Sequence, residues 1–230
     1  MQVERLMCCG AAALLAAGCA DRPEAIETGM VEVDDRGIAM LRVVHADPGS
    51  GELAVYRDYS EASGGLGYLD AGPPVAVAAG NGRLGIVRTA DAGGEPAVET
   101  DADLEAGRHY TLVTYDDGGE PRMRLLEDDG ELDPERVRLR VINLIADGPE
   151  VELFVRGGRN RLLDDIEPGE VEEEWVEPTE GALEFRREGE REPYLLVPNF
   201  RLVAGRGYTL VLTGTGERPD VVEVGDAADH

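Results

Sequence analysis

The sequence contains no lysine. All 22 of its basic residues are arginine, and they stand against 48 Asp and Glu, which leaves a net charge of −26. A field of that sign repels the phosphate backbone and excludes nucleic-acid binding as a function class. It also repels anionic membrane surfaces, so any membrane attachment has to be made by something other than charge. Long apolar runs are missing too. No segment reaches the roughly 18 apolar residues of a bilayer-spanning helix. Aromatic residues make up 5 % of the chain, with one tryptophan, Trp175. Histidine is confined to His45, His109 and His230, serine to Ser50, Ser60 and Ser63, and cysteine to Cys8, Cys9 and Cys19.

These scarcities thin out the available chemistry. Nucleophilic catalysis needs an activated Ser, Cys or Thr with a base in reach. The three serines lie in predicted loops and none sits in a G-x-S-x-G elbow. His45 and His109 fall in predicted strands, which points to structural or edge positions. Zinc needs clustered His and Cys, which the chain lacks. GNGRLG, residues 80–85, reads as a hairpin turn and not as a phosphate loop. Carboxylates are so abundant that no glycosidase pair stands out. The expectation is therefore no catalytic residue, no metal and no cofactor. The missing lysine fits a high-GC codon bias. The acid excess is not covered by that bias and fits adaptation to a saline habitat.

Cysteine carries the localisation reading. Residues 6–18 are small or apolar and uncharged, the size of a signal-peptide core. The stretch LLAAGC, residues 14–19, resembles the lipobox of bacterial lipoproteins. That resemblance implies cleavage after Gly18, a signal peptide over 1–18, and a diacylglycerol on Cys19 as the new N-terminus. Acyl chains at about 0.8 kcal/mol per buried methylene anchor a protein that its charge would keep off the membrane. Ala20, following the cysteine, implies the outer membrane over the inner. Residues 19–35 read as a lipidated tether, since no hydrophobic period persists there.

The remainder is a duplication. LRVVHAD at 41–47 recurs as LRVINLI at 139–145, and LEAGRHYTLV at 104–113 recurs as LVAGRGYTLV at 202–211, with eight of ten positions identical in the second pair. Both matches share an offset of 98 residues. The predicted organisation is a first repeat over 36–128, a linker over 129–135, a second repeat over 136–226 and a tail over 227–230. The acids of the linker region miss the alternating spacing of a calcium loop and read as solvated.

The repeated segments alternate with period two. Val137, Leu139 and Val141 fall on one face and Arg138 and Arg140 on the other; Tyr208, Leu210 and Leu212 oppose Thr209, Val211 and Thr213. Strands are predicted near 38–46, 52–57, 74–79, 83–89, 96–100, 108–115 and 121–127 in the first repeat. In the second they are predicted near 136–144, 150–156, 161–164, 171–177, 182–187, 194–200, 206–213 and 219–224. Short strands with turn signals at this spacing predict an all-β fold of two tandem immunoglobulin-like β-sandwiches, each with its own core and able to fold alone. Gly107 and Gly205 are placed to make tight turns before the Tyr-Thr-Leu-Val strands. Tyr110 and Tyr208 either close tyrosine corners or simply pack in the cores.

RVVHADP, then LAVYRD, then LEAGRHYTLV resembles the bacterial domain-of-unknown-function family 4397, whose members carry RVVHASPDAP-like, VDVYVDG-like and closing L-x-AG-x-x-YT strands, often in tandem. The second repeat departs at its start, where Asn143 replaces the histidine. The resemblance implies secreted or envelope-anchored β domains and carries no catalytic residue across.

One segment invites a binding role. EVEEEWVEP, residues 170–178, sets Trp175 among glutamates. An exposed Trp175 would stack on a sugar or anchor a protein. Alternation instead groups Trp175 with Val171 and predicts that the ring packs into the sandwich core, the glutamates guarding an edge strand. The functional expectation is a non-enzymatic, lipid-anchored binding or structural module of the cell envelope, facing an envelope protein or glycan. A carboxylate-dependent glycan hydrolase is the alternative.

Overall fold

The computed structural model describes residues 37–91, 95–128, 130–157 and 160–225. Gly18, Cys19, the tether and His230 lie outside the described residues. The described chain is all-β. The first half holds β1 (Ile38–Ala46), β2 (Leu53–Arg57), β3 (Ser60–Leu66), β4 (Val75–Ala78), β5 (Gly80–Arg88), β6 (Val98–Leu104), β7 (His109–Asp117) and β8 (Glu120–Glu127). The second holds β9 (Val137–Asn143), β10 (Val151–Val155), β11 (Asn160–Ile166), β12 (Val171–Val176), β13 (Thr179–Arg187), β14 (Leu195–Leu202), β15 (Arg206–Thr215) and β16 (Arg218–Gly225).

Each half is a sandwich of two four-stranded sheets. The orders are β4-β1-β7-β8 over β3-β2-β5-β6, and β12-β9-β15-β16 over β11-β10-β13-β14. The second pair of orders is the first with eight added to every label. In each half the first strand runs parallel to the seventh, with Leu41 opposite Tyr110 and Leu139 opposite Tyr208. Register shifts in β2–β3 at Leu53, Val55 and Tyr56 return in β10–β11 at Val151, Leu153 and Phe154. The duplication read from sequence is thus a duplication of strand order and irregularity.

The period-two faces sort as expected. Val137, Leu139, Val141, Leu210 and Leu212 join Phe185 and Val197 in the core of the second half. Leu41, Val43, Leu84, Ile86 and Leu112 build the core of the first. Both tyrosine corners are formed. The Glu105 N–H donates to the Tyr110 hydroxyl at 2.9 Å, and the Val203 N–H donates to the Tyr208 hydroxyl at 3.3 Å. Gly107 and Gly205 turn at φ 81° and 73°, a region that disfavours a side chain.

A third apolar cluster was not anticipated. Val44, Ala46 and Val113 from the first half pack with Ile142, Leu144, Val211, Val222 and Val224 from the second. Val211 lies on the face of β15 that carries Thr209 and Thr213, opposite the face that fills the sandwich core. The sheet containing β1 and the sheet containing β9 therefore pack against each other, and the sheets stack four deep. Burial on both faces explains why β9 is buried at every position.

Two local readings are corrected. β3, SEASGGL, was not predicted: it is rich in Ser and Gly, mostly exposed, and contributes only Leu66 to the buried core. GNGRLG is not a hairpin turn but the first part of β5, pairing from Gly80↔Leu104 to Gly85↔Glu99. Its glycines admit a buried side chain. A Cβ on Gly82 would lie 2.7 Å from the Arg57 guanidinium carbon, and that guanidinium donates to the carbonyls of Gly80 and Ala102.

Candidate functional site

Among the described residues, serine meets histidine at the β1–β2 connection. Ser50 Oγ lies 3.3 Å from His45 Nε2, with Asp47 two residues after the histidine. The arrangement does not make a nucleophile. The Asp47 N–H donates to Nδ1 at 3.2 Å, so Nδ1 is the acceptor and Nε2 carries the proton. Nε2–H then donates to the Gly51 carbonyl at 2.7 Å and has no lone pair for a serine proton. The Asp47 carboxylate is turned to the Gly49 N–H, and the imidazole has no exposed surface.

The second half repeats this bonding without an imidazole. Asn143 Oδ1 accepts from the Ile145 N–H at 3.3 Å, and its Nδ2 donates to the Pro149 carbonyl at 3.1 Å. Asp47 and Gly51 stand 98 residues before Ile145 and Pro149. His45 and Asn143 are therefore the same staple, clipping the loop between the first two strands. His109 begins β7 and is half-buried.

The acidic stretch before the linker is an ion-pair seam. Asp128 Oδ1 is 3.2 Å from Arg140 Nη1, and Arg140 Nε is 2.9 Å from Glu173, with the side chains of Asp128 and Arg140 each 10 % exposed. Arg138 donates to the Asp128 carbonyl. Among the described residues no group of three His, Cys, Asp or Glu side chains is arranged to hold a metal ion.

Trp175 does share a face with Val171, but that face is not turned into the sandwich core. Val176 takes the core position, while Val171 packs at the cluster between the halves and Trp175 is half-buried opposite Arg138. The sequence reading had the alternation right and the direction of the face wrong. β12 is an edge strand, as the glutamates suggested.

A concave site opens at the other end of the chain, between the edge strands β3 and β4. A pocket of about 220 Å³ is lined by Arg57, Tyr59, Ser60 and Glu61 on the hairpin and by Ala76 and Ala78 on β4. The two-residue turn holds Asp58 at φ 54°. It is tied to β5 by Asp58 N–H to the Arg83 carbonyl at 2.7 Å and by Arg83 N–H to Asp58 Oδ1 at 2.8 Å. Tyr59 at the tip is 99 % exposed. Beside it, the Tyr56 hydroxyl donates to Glu61 at 3.2 Å; burial first and the Glu61 carboxylate second push that phenol up.

The edge itself differs between the halves. Ala39 pairs with Val77 and Val137 with Val176, so Val75 and Ala76 stand where Glu174 and Trp175 stand. One edge reads Val-Glu-Glu-Glu-Trp-Val and the other Val-Ala-Val-Ala. Sequence alternation reveals neither the pocket nor the contrast, because both depend on which strands end a sheet.

These features define an all-β, double-sandwich protein with an open, uncharged sheet edge in its first half. The family model described as Domain of unknown function (DUF4397) matches residues 39–154, and the chain belongs to that family. The match runs from β1 into β10. No curated protein matches the chain. Among solved structures, the C-terminal domain of AlgF from P. aeruginosa is similar at 21 % identity and TM-score 0.34, covering 40 % of this chain and 98 % of that one. A putative cell adhesion protein from Bacteroides uniformis is similar at 11 % identity and TM-score 0.27, covering 82 % and 98 %. A family 26 carbohydrate-binding module from Eubacterium rectale, solved with maltoheptaose, is similar at 11 % identity and TM-score 0.24, covering 84 % and 98 %.

Proposed function

We propose that this is a non-enzymatic binding module of the bacterial cell envelope, periplasmic or surface-exposed and anchored by lipid on Cys19 in the outer membrane rather than the inner, that captures an extended segment of an envelope protein along β4. The second half is a second copy of the family domain whose own edge is closed. The observation that carries this reading is the contrast between the edges. An edge strand without charge is a template for an incoming strand, and natural proteins guard such edges with charge. β12 is guarded by three glutamates and β4 by none. The pocket beside β4 accepts one side chain of the added strand, and the exposed Tyr59 at its rim is free to pack against it. Main-chain bonds give affinity in this mode and the pocket gives selectivity. With a net charge of −26, the favoured partner segment carries Lys or Arg between its strand residues.

The test places a photo-crosslinking residue at position 59 in the living envelope. The cross-linked peptide is then synthesised and titrated against residues 37–225. Binding is expected to protect the amides of 75–78 from hydrogen exchange. Ala76→Glu, at an exposed position, and Tyr59→Ala are expected to weaken binding at least tenfold while leaving the fold intact. Unchanged affinity in both variants removes the site. A captured glycan with no new amide protection replaces the strand partner by a sugar. The anchor has its own test: mass spectrometry of membrane-extracted protein is expected to find acylated Cys19 at the N-terminus. Cys19→Ser is expected to release the protein from the membrane fraction, and an intact Met1 terminus overturns the anchor.

A further inference from the structure

The contacts between the halves come in reciprocal pairs. Arg42 of the first half donates from Nη1 to the carbonyl of Gly225, at the end of β16. Arg140 of the second half donates from Nη2 to the carbonyl of Glu127, at the end of β8, at 3.0 Å. Arg42 and Arg140 are 98 residues apart, and so are Glu127 and Gly225. The apolar cluster repeats the pattern. Val44 and Ile142, Ala46 and Leu144, Val113 and Val211, and Leu126 and Val224 are equivalent positions at the same offset, and all eight lie in one cluster. Arg124 on β8 donates to the Gly169 carbonyl at 2.7 Å. At the same offset Arg124 corresponds to Val222 and Gly169 to Ala71, so the return position carries no arginine.

If residue i of one unit meets j of the other, and the equivalent of i meets the equivalent of j in return, the two units are related by a two-fold axis. Stacked repeats related by a translation do not do this: the front of one meets the back of the next. We infer that the face formed by β1, β7 and β8 is a self-complementary docking surface whose partner is a second unit of the same fold. In this chain the partner is supplied in cis, and the linker only raises its effective concentration. The arginine of the repeated Leu-Arg-Val is the clasp, closed once in each direction. Further contacts are made once only, such as Tyr68 hydroxyl to Asp220 at 3.0 Å and Thr213 hydroxyl to the Ala46 carbonyl. They favour the mixed pair over two like units.

A two-fold axis makes a demand that a linear array does not. The span from the end of the second half back to the start of the first must equal the span that the natural linker crosses. The decisive experiment is a circular permutant of residues 37–225. It begins at Arg136, runs to Gly225, continues through a second copy of the 129–135 linker into Gly37, and ends at Asp128. It is expected to elute as a monomer of the parent's size, with the parent's circular dichroism and a melting midpoint within a few degrees. Aggregation, or elution as a chain dimer, overturns the axis. A second arm keeps the natural order and inserts a protease site after the exposed Glu131. After cleavage the two fragments are expected to co-elute at the intact size at micromolar concentration. Arg42→Ala with Arg140→Ala is expected to raise their dissociation constant on the order of tenfold or more. Fragments that separate or precipitate on cleavage of the unsubstituted chain show that the covalent link holds the halves, and the proposal falls.

Discussion

At the scale of single residues, the informative comparison is His45 with Asn143. His45 lies within the stretch matched by the family model, yet its two ring nitrogens bond only to backbone and to Ser50 and Thr114 hydroxyls. The second half uses an amide to hold the backbone groups at the equivalent positions. Hydrogen-bonding capacity, not acid–base chemistry, is what the position requires: one acceptor and one donor, aimed at a fixed N–H and a fixed C=O. His45→Asn is therefore expected to keep the full chain within about 1 kcal/mol of its parent in urea unfolding. His45→Ala leaves the N–H of buried Asp47 without that partner, frees the Gly51 carbonyl and opens a void in place of the buried ring, and is expected to cost about 1–3 kcal/mol. Equal loss in both variants would mean that the ring's volume, not its bonding, holds the loop. Sequence reading assigned His45 a structural place but had no means to see Ser50 arrive beside it or Asn143 hold the two equivalent backbone groups.

Elements were legible where alternation was strong. All eight strands of the second half were foreseen, and seven of the eight in the first. β3 was missed because Ser60, Ser63, Gly64 and Gly65 give no apolar period and the strand is carried by its pairing with β2. GNGRLG was misread because glycines signal turns in sequence, whereas here they make room for Arg57 against β5. The faces were right and their surroundings were not. Arg138, Arg140, Thr209 and Thr213 are polar and alternate with core residues, which is the pattern of a solvated face. They are buried nonetheless, each residue 8 % exposed or less, because another sheet covers them. The apolar members of that same face, Val44, Ile142, Val113 and Val211, were the available signal. Four branched aliphatics at repeat-equivalent places on a face with that polar alternation are hard to explain in free sandwiches. The candidate site was less legible still. An edge strand is defined by what fails to pair with it, and nothing in Val-Ala-Val-Ala says that β4 ends its sheet.

For the whole molecule the governing quantity is charge, a net of −26 with arginine as the only fixed cation. Two electrostatic populations respond differently to salt. The seam between the halves is sheltered, with the Arg140 and Asp128 side chains each 10 % exposed, so added ions weaken it little. Surface pairs such as Arg201 with Glu180, 74 % and 80 % exposed, contribute little at any ionic strength. The remaining carboxylates repel one another across the surface, and this repulsion penalises the compact state more than the expanded chain. The Debye length falls from about 30 Å at 0.01 M to about 3 Å at 1 M, which removes most of the penalty. Residues 37–225 are therefore expected to melt at higher temperature as NaCl rises over that range. Each 1 kcal/mol of relieved repulsion raises the midpoint by roughly 2–4 °C for a chain of this size. The gain should be larger at pH 7 than near pH 4, where many carboxylates, with reference pKa values of about 3.9 and 4.3, are partly protonated and the repulsion is already weakened. Thermal melts across salt at the two pH values measure it. A midpoint that falls with salt at pH 7 would mean that exposed arginine pairs dominate after all. A flat one would leave codon usage as the better account of the acidic surface and withdraw the saline habitat.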